Sequence, residues 1–318
     1  MTFPVSSPFP TPILILDRVS KRFAGHTAVA ELSLSVPRGV IYGLLGPNGA
    51  GKTTTIRMIM DILEPDGGAV RVFGEPGGGR AHSERIGYLP EERGLYRKMR
   101  VLDVLVFLGE MKGVDRRRAR QRADEWLERL GLAQWRLRRV DELSKGMQQK
   151  VQFISTMLHE PDLMILDEPF SGLDPINTAI IKDYLAEFRR RGKTIVFSTH
   201  VLEQAEKLCD EICLLARSKK ILEGNLRDLK RRFSKNLLHL LVECSPEEIA
   251  ALPGVASSQA VNGGYVVALA PGTDQREFLR RTMDSHPLHG FSAKEPELEE
   301  IYLDAIRKAG IEETRPIE

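Results

Sequence analysis

The chain has 318 residues, too many for one ordinary hydrophobic core, so two domains are expected. Its 46 Lys and Arg residues nearly balance 44 Asp and Glu, which gives no electrostatic reason to expect a nucleic-acid partner. The three cysteines exclude a disulfide framework and fit a reducing compartment; Cys209 and Cys213, with no second Cys or His pair nearby, read as small core residues rather than metal ligands.

Met1 to Pro12 is rich in Pro and Ser and lacks the basic start and apolar stretch of a signal peptide, so a disordered lead-in is expected. From Ile13 to about Asn225, short apolar runs alternate with helical stretches, the pattern of an α/β sheet. Ile41 to Leu45 reads as a buried strand. It runs into Gly46-Pro47-Asn48-Gly49-Ala50-Gly51-Lys52-Thr53, which fits the phosphate-loop pattern Gly-x4-Gly-Lys-Ser/Thr. A helix opens with Thr54 to Met60 and is expected to reach Leu63, before Glu64-Pro65-Asp66-Gly67-Gly68 breaks it.

Strand, Gly-rich turn and helix N-terminus together make an anion cradle. Gly46, Gly49 and Gly51, with Asn48 between, let backbone N–H groups close on phosphate oxygens, and the helix dipole adds positive potential. Lys52 would reach the β- and γ-phosphates, Thr53 would ligate Mg²⁺, and Thr54 would meet the α-phosphate. The expected ligand is a nucleoside triphosphate.

Between Arg97 and Leu158 strands give way to helical periodicity. Asp115 to Leu130 holds Arg116, Arg117, Arg118, Arg120 and Arg122, but Asp115, Asp124, Glu125 and Glu128 share the segment. Ala119, Ala123, Trp126, Leu127 and Leu130 form an apolar stripe, so a solvated helix face is expected. In Leu143-Ser144-Lys145-Gly146-Met147, Ser144 reads as a helix N-cap and Gly146 permits close backbone approach. Leu163 to Leu166 is an apolar strand ending in Asp167-Glu168. Such a carboxylate can hold Mg²⁺ opposite a phosphate loop, while its neighbour polarises the attacking water. After Phe233 the pattern becomes β-α-β-β-α-β with an appended helix from Glu297 to Ala309, matching a split βαβ arrangement.

The phosphate loop, the Leu-Ser-x-Gly signature, the Asp-Glu pair, Ser171-Gly172-Leu173-Asp174 and a strand from Ile195 to His200 occur in the order found in ATP-binding cassette (ABC) ATPases. The stretch from about Leu14 to Asn225 resembles that family. Gly87 to Tyr96 and the C-terminal extension resemble the soluble subunits of bacterial sodium-efflux and drug-efflux exporters. The resemblance implies an α/β P-loop NTPase over 13–230, with an inserted helical subdomain at about 97–158. A small α+β accessory domain over 233–318 would follow.

The resemblance also implies roles. Phe23 would stack on adenine. Asp167 would hold Mg²⁺, Glu168 would act as general base, and His200 would contact the γ-phosphate and help position water. Asp174 would couple two sites across a dimer. Ser144 and Gly146 of one subunit would complete the ATP site of the other. Lys145 and Met147 depart from the usual Gly and Gln, with Ser144 and Gly146 intact. Glu91 stands where most members carry a Gln that touches Mg²⁺ and water, so it adds negative charge beside the phosphates.

The implied function is ATP hydrolysis by the soluble subunit of an ABC exporter. It would be a homodimer beneath separately encoded integral membrane permease subunits, cytoplasmic and peripheral on the inner face of the cell membrane. No apolar run approaches the ~18–20 residues of a membrane helix. A soluble ABC ATPase acting on ribosomes or DNA is the alternative. Such branches carry tandem cassettes or a long coiled coil, and this chain has one set of motifs and no heptad run. A module that holds nucleotide without hydrolysing it is disfavoured by Glu168 and His200.

Overall fold

The computed structural model describes residues 12–92, 94–234, 237–261 and 263–310. Apart from Pro12, the lead-in expected at the N-terminus lies outside them. The chain divides into two compact units between Glu223 and Gly224.

The first unit opens with β1 (Leu14–Phe23) and β2 (His26–Val36), an antiparallel hairpin. In β1, Leu14 and Leu16 are buried while Ile15 and Asp17 are not, the period-two alternation of a half-buried strand. Arg18 then adopts a positive φ of 47° where the register shifts, and the inward position moves to Val19. β3 (Ile41–Leu45) is buried throughout, and α1 (Lys52–Ile59) follows the loop. This helix begins earlier than expected and stops before Leu63, because Asp61 takes a left-handed conformation with φ 58°. β4 (Gly67–Val72) and β5 (Glu75–Pro76) extend the first sheet to the order β2-β1-β4-β5.

β6 (Ile86–Leu89) leads into the helical segment of α2 (Val101–Met111), α3 (Arg116–Arg129) and α4 (Lys145–Met157). α3 buries Ala119, Ala123 and Leu127 at helical spacing and turns Arg116, Arg117, Arg118 and Arg120 to solvent. The solvated face expected from the sequence is present. Then come β7 (Leu163–Asp167), α5 (Pro175–Arg190), β8 (Thr194–Thr199), α6 (Leu202–Leu208), β9 (Glu211–Ala216) and β10 (Lys219–Asn225).

The second sheet has the order β10-β9-β3-β8-β7-β6, and β6, β7, β8, β3 and β9 run parallel. Both faces of such strands are covered, which is why β3, β7 and β8 are buried at every position. Parallel pairing also sets Leu89 beside Leu166, Asp167 beside Ser198 and Thr199 beside Leu45. The segments leaving these strands therefore emerge along one edge, where open α/β sheets bind ligands.

The second unit contains α7 (Leu226–Ser234), β11 (Leu237–Val242), α8 (Pro246–Ala251), β12 (Val255–Val261), β13 (Gly264–Leu269), α9 (Gln275–Ser285), β14 (Leu288–Ala293) and α10 (Leu298–Lys308). Its antiparallel sheet has the order β12-β13-β11-β14, the split βαβ arrangement. Leu238, Leu240, Val267 and Leu269 of the sheet bury against Ile249 of α8 and Phe278 of α9. The last strand starts at Leu288, three residues before the position expected from the sequence.

Phe197 in β8 is fully buried and meets Phe170 edge to face at 5.8 Å between ring centroids. Phe197→Ala should destabilise the chain by about 3–5 kcal/mol through lost burial and the cavity left behind. Urea denaturation checks this, and a change below about 1 kcal/mol would contradict the packing described.

Candidate functional site

The loop after β3 is shaped by two glycines that no other residue can replace. Gly46 has φ 151°, and a Cβ there would lie 2.2 Å from the Leu215 carbonyl oxygen. Gly51 has φ 100°, and its Cβ would lie 2.4 Å from the Ala28 carbonyl oxygen. The loop is thus pressed between β9 and β2. Its start is tied to β8 by the Gly46 N–H, which donates to the Thr199 carbonyl at 3.4 Å. No side chain caps α1, and its first turn carries no acidic residue, so the positive end of the helix dipole faces the loop.

Lys52 opens α1 and is only 6% exposed. Its ammonium folds back over the loop, donating to the Gly46 carbonyl at 2.8 Å and the Pro47 carbonyl at 3.2 Å. It also stands 3.6 Å from Glu168 Oε1. These are weak partners for a buried cation, and phosphate oxygens would replace them with stronger charge-assisted bonds.

At the end of β7, Asp167 is completely buried. Ser198 Oγ donates to its Oδ1 at 2.5 Å, while Oδ2 has no hydrogen-bond partner. Burial pushes the Asp167 pKa up. The Ser198 and Thr53 hydroxyls oppose this rise, the Glu168 charge adds to it, and Lys52 opposes it. Ser198 Oγ also accepts from the Glu168 backbone N–H at 3.0 Å, so one hydroxyl fixes both carboxylate residues. Glu168 has φ 46°, a strained left-handed conformation, and its side chain reaches both Lys52 and His200.

Glu168 Oε1 accepts from His200 Nδ1 at 3.0 Å. A carboxylate only accepts, so Nδ1 carries the proton, and Nε2 of the half-exposed ring remains for another partner. Glu91, just after β6, accepts from the Thr53 hydroxyl at 3.5 Å. The unpartnered Asp167 oxygen, the Thr53 hydroxyl and the Glu91 carboxylate are the hard oxygen donors that Mg²⁺ requires, so these residues fit that ion.

The structure therefore links Lys52, Thr53, Glu91, Asp167, Glu168 and His200 through a continuous set of contacts. Gly49 and Asn48 lie exposed in the loop, and Thr54 is half-buried in the first turn of α1. Phe23 ends β1, 48% exposed, with the Lys21 ammonium 6.0 Å from its ring centroid. It stands at the tip of the β1–β2 hairpin whose Ala28 backs the loop.

Ser144 and Gly146 sit elsewhere. Ser144 caps α4, accepting from the Met147 N–H at 3.3 Å. A Cβ on Gly146 would meet Gly172 and Leu173, not the loop. Asp174 caps α5 by accepting from the Asn177 backbone N–H at 2.9 Å, and that bond holds its pKa low.

Two residues escaped the sequence analysis. Ser198 was hidden inside an apolar strand, although a hydroxyl two positions before His200 was the available signal. Gln152, buried on α4, donates from Nε2 to the Pro90 carbonyl at 3.4 Å and the Glu92 carbonyl at 3.2 Å, bracing both neighbours of Glu91. Nothing in its spacing distinguished it from a core residue.

A family model described as "ABC transporter" matches residues 29–171. The uncharacterized ABC transporter ATP-binding protein YhaQ of Bacillus subtilis (strain 168) is 38% identical over 294 residues, 92% of this chain and 98% of that protein. The chain belongs to the ABC transporter ATP-binding proteins. A second model, "ATP-binding protein DrrA1-3-like, C-terminal domain", matches residues 224–306 of this ABC subunit. Nod factor export ATP-binding protein I of Ralstonia nicotianae (strain ATCC BAA-1114 / GMI1000) is 38% identical, covering 69% of each chain. A solved structure described as the ATP-binding subunit of an ABC transporter aligns with a TM-score of 0.63 and 31% identity. That alignment covers 70% of this chain and 93% of the other. The fold is the ABC form of the P-loop NTPase, and the chain is an ATPase.

The ABC subunit without ligand should carry a stability defect at Asp167. Its folded pKa lies above the unfolded value, so the native chain keeps a proton that the unfolded chain has released. The stability from that proton is present below the ordinary carboxylate pKa and is lost as pH rises through the folded value. Asp167→Asn should remove this loss and make the nucleotide-free chain more stable than the parent near neutral pH, with no such gain at acidic pH. Denaturant melts across acidic to neutral pH are the measurement; a variant no more stable than the parent at pH 7 would refute it.

Proposed function

We propose that this chain is the ATP-hydrolysing subunit of an exporter, working as a homodimer beneath separately encoded membrane subunits at the inner face of the cell membrane. The observation that carries the catalytic reading is the contact set Lys52–Glu168–His200, in which a strained carboxylate faces the phosphate loop. Export is supported by the similarity to Nod factor export ATP-binding protein I and by the DrrA-like C-terminal match. Separate membrane subunits are supported by the helices: among the described residues, none is long and apolar enough to cross a membrane. The ribosome or DNA reading has no such support.

Phe23 stacks on the adenine, and the loop from Gly46 to Thr54 wraps the phosphates. Lys52 exchanges its two carbonyl contacts for phosphate oxygens, which also frees Glu168 from the ammonium. Glu168 then accepts a proton from the attacking water, and Ser198 holds its backbone in place. His200 is oriented by Glu168 and presents Nε2 toward the γ-phosphate. Asp167, Thr53 and Glu91 would hold Mg²⁺, which when bound neutralises charge on the β- and γ-phosphate oxygens.

Ser144 and Gly146 lie at the start of α4, apart from the Lys52 cluster, so their N-terminal dipole is available to a second subunit's nucleotide. ATP then joins two cassettes, and loss of the γ-phosphate contacts lets them part.

Glu168→Gln keeps size and hydrogen bonding but removes the base. Turnover should fall on the order of 10²–10⁴-fold while ATP affinity is retained, and ATP-bound dimers should accumulate in light scattering. Lys52→Ala should weaken binding by about 1.5–3 kcal/mol and lower turnover as well. Near-parental turnover in the Gln variant, or unchanged ATP affinity in the Ala variant, would remove the basis for these roles.

A further inference from the structure

Glu91 raises an electrostatic question that the rest of the site sharpens. Its carboxylate is 3.5 Å from the Thr53 hydroxyl, at the end of the loop where the outer phosphates must lie. Both of its neighbours are fastened, because the buried Gln152 amide donates to the Pro90 and Glu92 carbonyls. The fully buried Asp167 presents an Oδ2 atom with no hydrogen-bond partner, and Glu168 follows it. Lys52 is already shared between Glu168 and two loop carbonyls. Glu91, Asp167 and Glu168 thus gather negative charge around the place for a polyanion.

We propose that Glu91 makes nucleotide binding depend on a divalent cation, so that the site favours metal-bound triphosphate over metal-free ATP. This deepens the nucleotide-site reading above and rests on it. Without a cation, a further carboxylate a few ångströms from the phosphates repels them, although Glu91 is solvent-exposed and the repulsion is partly screened. That repulsion is enough for at least about tenfold in affinity. With a cation the sign reverses, because Asp167 Oδ2, the Thr53 hydroxyl and the Glu91 carboxylate all become oxygen ligands. Among the described residues, no group of three or more His, Cys, Asp or Glu side chains could hold a metal alone. Cation and nucleotide therefore complete one site together, and by linkage each raises the affinity of the other by the same factor.

The test is equilibrium binding of ATP to the full chain, by calorimetry, in magnesium chloride and in EDTA. Glu91→Gln keeps the shape and removes the charge; Glu91→Ala is the second variant. Both should bind metal-free ATP at least about tenfold more tightly than the parent, and the factor by which magnesium improves binding should shrink accordingly. If parent and both variants lose affinity in EDTA by the same factor, the proposal is overturned while the nucleotide site stands. Lys52→Ala separates the two failures. If it binds ATP as the parent does in both buffers, the nucleotide site is misplaced and the proposal goes with it.

Discussion

The pairing of β7 with β8 is the constraint on which the site depends. It sets Asp167 beside Ser198, and the Ser198 hydroxyl then holds the Asp167 carboxylate and the Glu168 backbone at once. Because the strands are parallel, β6 and β3 deliver the Glu91 loop and the phosphate loop to the same edge. Charged and strained groups are tolerated there because the strands beneath them are buried at every position.

The price of this arrangement is visible in the nucleotide-free chain. A buried carboxylate with an unpartnered oxygen and a glutamate in a left-handed conformation oppose stability, while the buried ammonium is held by two loop carbonyls and Glu168. On the proposed reading, phosphate would engage the ammonium and a metal ion the unpartnered oxygen. The site is thus organised for the ligand-bound state, and ligand binding should stabilise the chain by mass action. Gln152 adds a structural link, since it fastens the Glu91 loop to the same helix that Ser144 caps. A shift of that loop on nucleotide binding would be felt by α4, the element proposed above to meet a second subunit.

Much of this was legible in the residues themselves. The phosphate loop declares itself because Gly46 and Gly51 face backbone atoms too closely for any Cβ, so the chemistry demands glycine at fixed spacing. Asp167 and Glu168 are legible because charged residues ending an apolar strand have no packing reason to be there. The β-α-β-β-α-β order of the second unit follows from local periodicity and turn residues. The end of α1 was misjudged because the left-handed turn at Asp61 depends on φ, which an Asp permits without requiring.

By itself, then, the sequence determined the class of ligand, the phosphate-loop pattern and the order of elements, because phosphate binding and strand burial each impose a local pattern. The tertiary structure alone decided which side chains meet. Contacts between Ser198 and Asp167, Thr53 and Glu91, Gln152 and the Pro90 carbonyl, and Lys52 and Glu168 join residues 31 to 116 positions apart. No periodicity records such distances. They arise from strand register and helix packing, which the whole hydrophobic core sets together.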